Sequence, residues 1–272
     1  MNKARSSFKY IFLSIVSIIS IFPFIWMLIS MTNKSVDVSK GSLIPGTYLV
    51  QNIKNLFASD LNFSMSLWNS GKIAIIGTIL SLIIASFAGY GFEIYRNKVR
   101  DRIFNILLLS MMIPFAALMI PLFKMFSNFS FFGLNTIAAV IIPTLSTAFL
   151  IFFFRQNTKS FPKDILEAGR IDGLNEIQIF TRIYVPTMKS TYAAAAIITF
   201  MASWNNYMWP LIALQSPEKR TVPLIISTMG SSYSPDYGMI MAGIVIATLP
   251  TALVFFLMQK HFVAGMLGSV KG

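Results

Sequence analysis

Six apolar runs divide the chain, at roughly 10–31, 68–95, 103–126, 136–154, 191–213 and 239–259. Each approaches the ~20 residues with which a helix crosses a hydrocarbon core. Lipid offers the backbone no hydrogen-bond partner, so open spans of this kind must be helical. The pattern predicts an all-α, polytopic membrane protein with six transmembrane helices. Polar residues gather between the runs. The interval 32–67 holds a Pro45-Gly46 turn and an amphipathic piece at 48–57, while 155–190 is the longest interval between the later spans. The chain thus divides into an N-terminal portion, 1–67, with the first span, and a portion 68–272 with the other five and the 155–190 loop.

Charge decides which side each interval faces. With the N-terminus inside, fifteen of the 22 Lys and Arg fall in the inner segments, among them Lys3, Arg5 and Lys9, Arg96 to Arg102, and six between Arg155 and Lys189. The positive-inside bias places both termini and the 155–190 loop in the cytoplasm. The net charge of +12 is thereby explained as orientation and contact with anionic lipid, not nucleic-acid binding. The first run is too long for a signal-peptide core and ends in no small-x-small site, so it reads as a retained span with Phe24 and Trp26 in an interfacial aromatic belt.

Composition agrees: 55% of residues are apolar and 12% charged, half the ~25% of a soluble domain. There is no Cys, which excludes disulfides and thiolate chemistry, and the single His261 argues against a histidine metal or acid–base centre.

The stretch SFPKDILEAGRIDGLNEIQIFTRIYVPTMKS at 160–190 carries most of the detail. Ser160 can cap a helix, Pro162 suits a first helical position, and Asp164 and Glu167 sit near the positive end of the helix dipole. Ile165, Ala168, Gly169 and Asp172 fall on one face at helical spacing. Gly173 supplies a left-handed stop and Pro186 marks the return to the membrane. Spacing alone allows either a connector lying on the lipid surface or a small-residue helix face that docks into a groove on another protein.

Residue order adds to this. Glu167-Ala168-Gly169, Asp172-Gly173, Phe180, Ile183 and Pro186 resemble the EAA loop of the permease subunits of bacterial ABC importers. Gly169 replaces the third residue of the Glu-Ala-Ala triplet, at a helix cost of about 1 kcal/mol relative to Ala, and Ser190 stands where a second Pro is common. Three further stretches resemble the maltose-type sugar permeases: MMIPFAALMIPLF with Pro114 and Pro121, SWNNYMWPLI at 203–212, and the C-terminal Phe-Val-x-Gly and Val-Lys-Gly. PGTYLVQNIKNLF resembles the same group loosely. The resemblance implies a MetI-like permease core in spans two to six of a bacterial inner-membrane protein.

Within the spans, Gly71, Gly77, Gly89 and Gly91 read as helix-packing positions, and Pro114 and Pro121, seven residues apart, as kinks or a pore-lining irregularity. Trp204, Asn205 and Asn206 are candidates for lining a sugar pathway; equally, the Asn side chains could bridge helices and the Trp ring could sit in the interfacial belt.

Absent chemistry narrows the function. No G-x-x-x-x-G-K-[ST] stretch exists, so ATP hydrolysis is not expected in this chain. No acidic residue lies deep in a span, Glu93 and Asp101 being at an inner end, which disfavours proton coupling. No nucleophile–base pair or metal cluster suggests an enzyme. The resemblance implies a permease subunit paired with a second, homologous permease, two ATP-binding subunits that hold ATP and Mg, and an extracellular or periplasmic sugar-binding protein. It further implies that Glu167, Ala168, Gly169, Asp172, Gly173 and Pro186 couple ATPase closure to alternating access, Glu167 pairing with a cationic residue of the ATPase. The alternatives are an ion-coupled or facilitative carrier acting without an ATPase, and a membrane-embedded assembly factor.

Overall fold

The computed structural model describes residues 3–267, with side chains over 6–260. Lys271 and the Val-Lys-Gly end lie outside the described residues, as do the side chains of Lys3, Arg5, His261 and the Phe-Val-x-Gly stretch. Among the described residues there are helices and turns and no strand. In order these are α1 Lys3–Ser30, α2 Ser35–Ser39, α3 Leu49–Ala58, α4 Phe63–Ile94, α5 Lys98–Ser110, α6 Phe115–Ser127 and α7 Ile137–Ile141. After a 3-10 turn at Ile142–Thr144 come α8 Ala148–Thr158, α9 Lys163–Ile171, α10 Glu176–Ile179, a π turn at Phe180–Tyr184 and α11 Val185–Thr187. The chain closes with α12 Lys189–Trp204, α13 Met208–Ala213, α14 Val222–Gly230 and α15 Tyr237–Leu267.

Three of these helices, in α1, α4 and α15, are long and apolar enough to cross a membrane unbroken. Three of the expected spans are interrupted instead. The run at 103–126 is two helices, α5 and α6, bent by 99°. Pro114 is the N-cap of α6 in extended backbone, and the residue before a proline is biased away from the helical region, so the break falls there. Pro121 is accommodated inside α6. The run at 136–154 bends by 43° between the Pro143 turn and α8, whose N-cap Thr147 accepts the Leu150 N–H through its hydroxyl. The run at 191–213 is α12 followed after residues 205–207 by α13. At 16 residues α12 rises about 24 Å, short of the ~30 Å core. Pro210, third in α13, has no N–H to continue the helix backwards.

Chain packing groups 1–64 with 222–250, and 65–221 with 251–272. In the first group α3 is anchored by Asn52, which is buried and donates through Nδ2 to the Met31 and Asn33 carbonyls, both at 2.9 Å. Asn33 in turn donates to the Ile44 carbonyl at 3.0 Å. Gly238 lets α15 pass close by, since a Cβ there would lie 2.6 Å from the Asn33 carbonyl oxygen. Hydropathy gave no helix between the last two runs, yet α14 buries Val222, Leu224, Ile225 and Met229.

The second group stacks three apolar clusters. One joins Ile73, Phe126, Val140 and Trp209, with the Trp209 indole N–H donating to the Ala139 carbonyl at 2.8 Å. The next holds Ala85, Phe104, Leu150 and Phe154. The third, of Tyr90, Phe161, Leu166, Ile179, Phe180 and Tyr184, carries the loop. Between the last two, Gly89 lets α4 touch α8: a Cβ there would meet the Phe154 Cβ at 2.6 Å and the Arg155 backbone nitrogen at 2.8 Å. Gly71 and Gly91, read from sequence in the same role, face open space.

Candidate functional site

The loop begins where α8 ends, four residues beyond the apolar run that predicted it. Arg155, assigned from sequence to the polar loop, is therefore inside α8 and buried. It pairs with Glu93 at 3.3 Å and with Asp101, and its guanidinium lies 4.1 Å from the Phe104 ring centre. Arg155 and Glu93 are each 7% exposed. Burying a charge is tolerable only when it is paired, so the cluster ties α4, α5 and α8 together just ahead of the loop.

α9 starts differently from the expectation. Ser160 donates to the Asn157 carbonyl at 2.8 Å and is not the cap; the N-cap is Pro162, with no side-chain bond. The start is held instead by Phe161 and Leu166, one residue before the cap and four after it, both buried in the same cluster as a hydrophobic staple. The end matches the expectation. Gly173 has φ +79°, its N–H bonds the Arg170 carbonyl at 3.1 Å, and the Leu174 N–H bonds the Gly169 carbonyl at 3.0 Å. That pair of bonds is a Schellman stop, open to glycine without strain.

The expected single face of Ile165, Ala168, Gly169 and Asp172 is divided. Leu166 and Gly169 are buried, while Glu167, Ala168, Asp172 and Gly173 are exposed. Gly169 has a packing reason to replace alanine: a Cβ would stand 2.7 Å from Ile183 Cδ1. Beside the exposed acids, Ile165, Ile171 and Ile177 also face outward, the last two 86% and 69% exposed.

The second half of the loop is legible only in outline in the sequence. Asn175 and Gln178 form a capping box for α10, each side chain meeting the other's backbone N–H at 2.9 Å; the N-x-x-Q spacing was the signal for it. Arg170 donates to Glu176 at 2.9 Å, joining α9 to α10, and the Tyr90 hydroxyl reaches Glu176 at 3.4 Å. The Arg170 bond holds the Glu176 carboxyl below its usual range, and Glu176 raises Arg170 in return. Thr158 gives its proton to the Phe154 carbonyl, so the 2.6 Å contact between Thr158 and Tyr184 is a Tyr184 donation. Burial pushes the Tyr184 hydroxyl pKa up. Phe180 stacks on Phe87 with ring centres 3.9 Å apart. Pro186 lies in α11 at the far end of the loop, apart from the residues of α9.

The pathway candidates separate. Trp204 is buried and stacks on Phe200 at 5.9 Å. Asn205 is exposed, caps α12 and donates to the Met201 carbonyl at 3.0 Å. Asn206 alone lines a cavity of about 370 Å³, together with Thr147, Thr199, Ser203 and Trp209.

A polytopic helical chain with interrupted spans and a docked, acid-bearing loop between two of them is the architecture of a transporter membrane component. The family model for binding-protein-dependent transport system inner membrane components matches residues 77–268, and the chain belongs to that family. It is 51% identical to the lactose transport system permease protein LacG of Rhizobium radiobacter, over 97% of this chain and 95% of that protein. It is 34% identical to the arabinooligosaccharides transport system permease protein AraQ of Bacillus subtilis, over 96% and 94%. In fold it superposes on a bacterial ABC transporter involved in the import of the polysaccharide alginate, with a TM-score of 0.85, 22% identity and coverage of 96% and 99%. The chain is thus a multi-pass membrane permease subunit of an ATP-driven importer, a transport component and not the ATPase.

Proposed function

We propose that this permease passes a sugar or oligosaccharide, in a complex with a second homologous permease, two ATP-binding subunits that hold ATP and Mg, and an external sugar-binding protein. Relatives named for lactose and for arabino-oligosaccharides support the substrate class. The basic bias of the inner segments supports termini and a loop on the cytoplasmic side, and the family match at 77–268 supports a permease core within 68–272 preceded by an N-terminal portion, 1–67.

In this reading α9 is the contact with the ATPase. Glu167, Ala168, Asp172 and Gly173 meet the partner, Gly169 seats α9 on Ile183, and Pro186 ends the segment that returns force to α12. The single observation behind it is that α9 buries Leu166 and Gly169 in its own chain yet leaves Glu167, Ile165 and Ile171 outward. A helix gripped on one face and bare on the other can transmit a push without melting.

The test is reconstitution of the assembled complex in proteoliposomes with lactose and arabinotriose. Uptake requiring ATP, the ATPase and the binding protein is expected. Flux through the purified chain alone, without ATP, would contradict the reading.

A further inference from the structure

The cavity beside Asn206 carries chemistry that the loop does not use. Three polar side chains line it from one stretch of chain: Thr199 and Ser203, a helical i, i+4 pair on α12, and Asn206 in the break just past its end. None of the three side chains has a hydrogen-bond partner within the described residues, although all are half-buried. Opposite them stand Thr144 and Thr147, at the break between α7 and α8. Unpaired polar groups on a membrane-spanning helix are costly where no water or ligand reaches them. The remaining walls are apolar and aromatic, from Phe115, Phe149 and Trp209. The Trp209 ring is fixed by its bond to the Ala139 carbonyl and its edge contact with Phe126 at 5.9 Å.

From this we infer that the cavity is a subsite for one unit of the transported sugar, formed by this subunit itself. The inference rests on the importer reading and deepens it. A few placed hydroxyl and amide groups among apolar and aromatic walls is the make-up of a small-molecule site, and about 370 Å³ is at the lower end of the roughly 300–1,000 Å³ such sites occupy. Thr199, Ser203 and Asn206 would exchange hydrogen bonds with sugar hydroxyls, and an aromatic wall would take the C–H face of the ring. An acyl chain would fill the volume equally well but would leave all three polar groups unpaired. Gly77 keeps the space open across from Ser203: a Cβ there would sit 3.6 Å from the Ser203 Oγ, in ordinary contact, and anything longer would enter the cavity.

The native chain has no cysteine, so single thiols report alone when the partner subunits are made cysteine-free. The experiment uses the assembled complex and whichever of lactose and arabinotriose it transports. A water-soluble methanethiosulfonate should label T199C and S203C, and the transported sugar should slow that labelling severalfold while leaving an S127C control unaffected. T199V and S203A should each raise the half-saturating sugar concentration about fivefold, the scale of one neutral hydrogen bond, with ATPase stimulation by the loaded binding protein retained. Gly77→Leu should block uptake while the complex still assembles. Thiols that the reagent never reaches would mean a lipid-filled cavity and overturn the inference. Labelling indifferent to sugar, with T199V and S203A transporting normally, would overturn it while leaving the importer reading standing. Absence of ATP-driven uptake of any sugar by the unmodified complex would overturn both.

Discussion

Two glycines on α4 differ in what surrounds them, and substitution should separate them. At Gly89 an added methyl meets the Phe154 Cβ at 2.6 Å and the Arg155 backbone nitrogen at 2.8 Å, atoms of α8 that cannot swing aside. Gly89→Ala should force α4 from α8, cost on the order of 1–3 kcal/mol as overpacking does, and lower the melting temperature of the purified complex. Gly91→Ala meets open space and should stabilise the helix by up to about 1 kcal/mol. At Gly173, φ +79° makes any side chain strained, so Gly173→Asp should loosen the Schellman stop by roughly 1–2 kcal/mol. If Glu167 is paired in the complex, Glu167→Ala removes one side of a desolvated charge pair, worth about 2–5 kcal/mol. Uptake and substrate-stimulated ATPase should then fall at least about tenfold, with membrane insertion unchanged on a blot of washed membranes.

At the scale of elements, the tie between α9 and α10 depends on the ionised state of Glu176. Its carboxyl is held below the usual range by Arg170, so the protons it takes up on unfolding define the sign. The tie is fully present above the unfolded carboxylate pKa near 4.3 and is lost as pH falls through the lower folded value. Amide exchange over 163–179 should therefore be flat from pH 8 to about 5, after correction for the intrinsic rate, and rise only in stronger acid. A rise between pH 6 and 7 would contradict the pairing. In the other chain group, the buried Asn52 supplies the donor for the Met31 and Asn33 carbonyls. Asn52→Ala should cost about 1–3 kcal/mol and expose 49–58 to protease in membrane vesicles, whereas Asn55→Ala, with its exposed partner Gln51, should not.

The sequence made the unbroken helices readable because hydropathy reports the lipid solvent directly: α1, α4 and α15 lie where the runs are. Breaks were harder. Pro114 announced an irregularity, but the 99° bend at α5–α6 depends on what packs around it, and one sequence holds no such distance. α14 is apolar but short, below the length at which a run reads as a span. At the loop, the Gly173 stop was legible because positive φ has a residue preference. The roles of Phe161, Tyr184 and Arg155 were not, because each depends on a partner 5 to 62 positions away, as with Phe161 and Leu166 or Arg155 and Glu93. Gly169 shows the difference well: helix propensity makes it a weak spot, and only the position of Ile183 makes it a contact.

For the whole molecule, the central claim is that α9 lies in the cytoplasm and takes up the movement of a separate ATPase. Because the chain has no cysteine, an Ala168→Cys variant carrying a benzophenone photoprobe tests it in the assembled complex. The account predicts a cross-link to the ATP-binding subunit in inside-out vesicles, no thiol labelling from the external face, and loss of ATP-driven uptake after irradiation. A thiol at 168 that reacts from outside, or a probe that never captures the ATPase in a complex still active in transport, would contradict it.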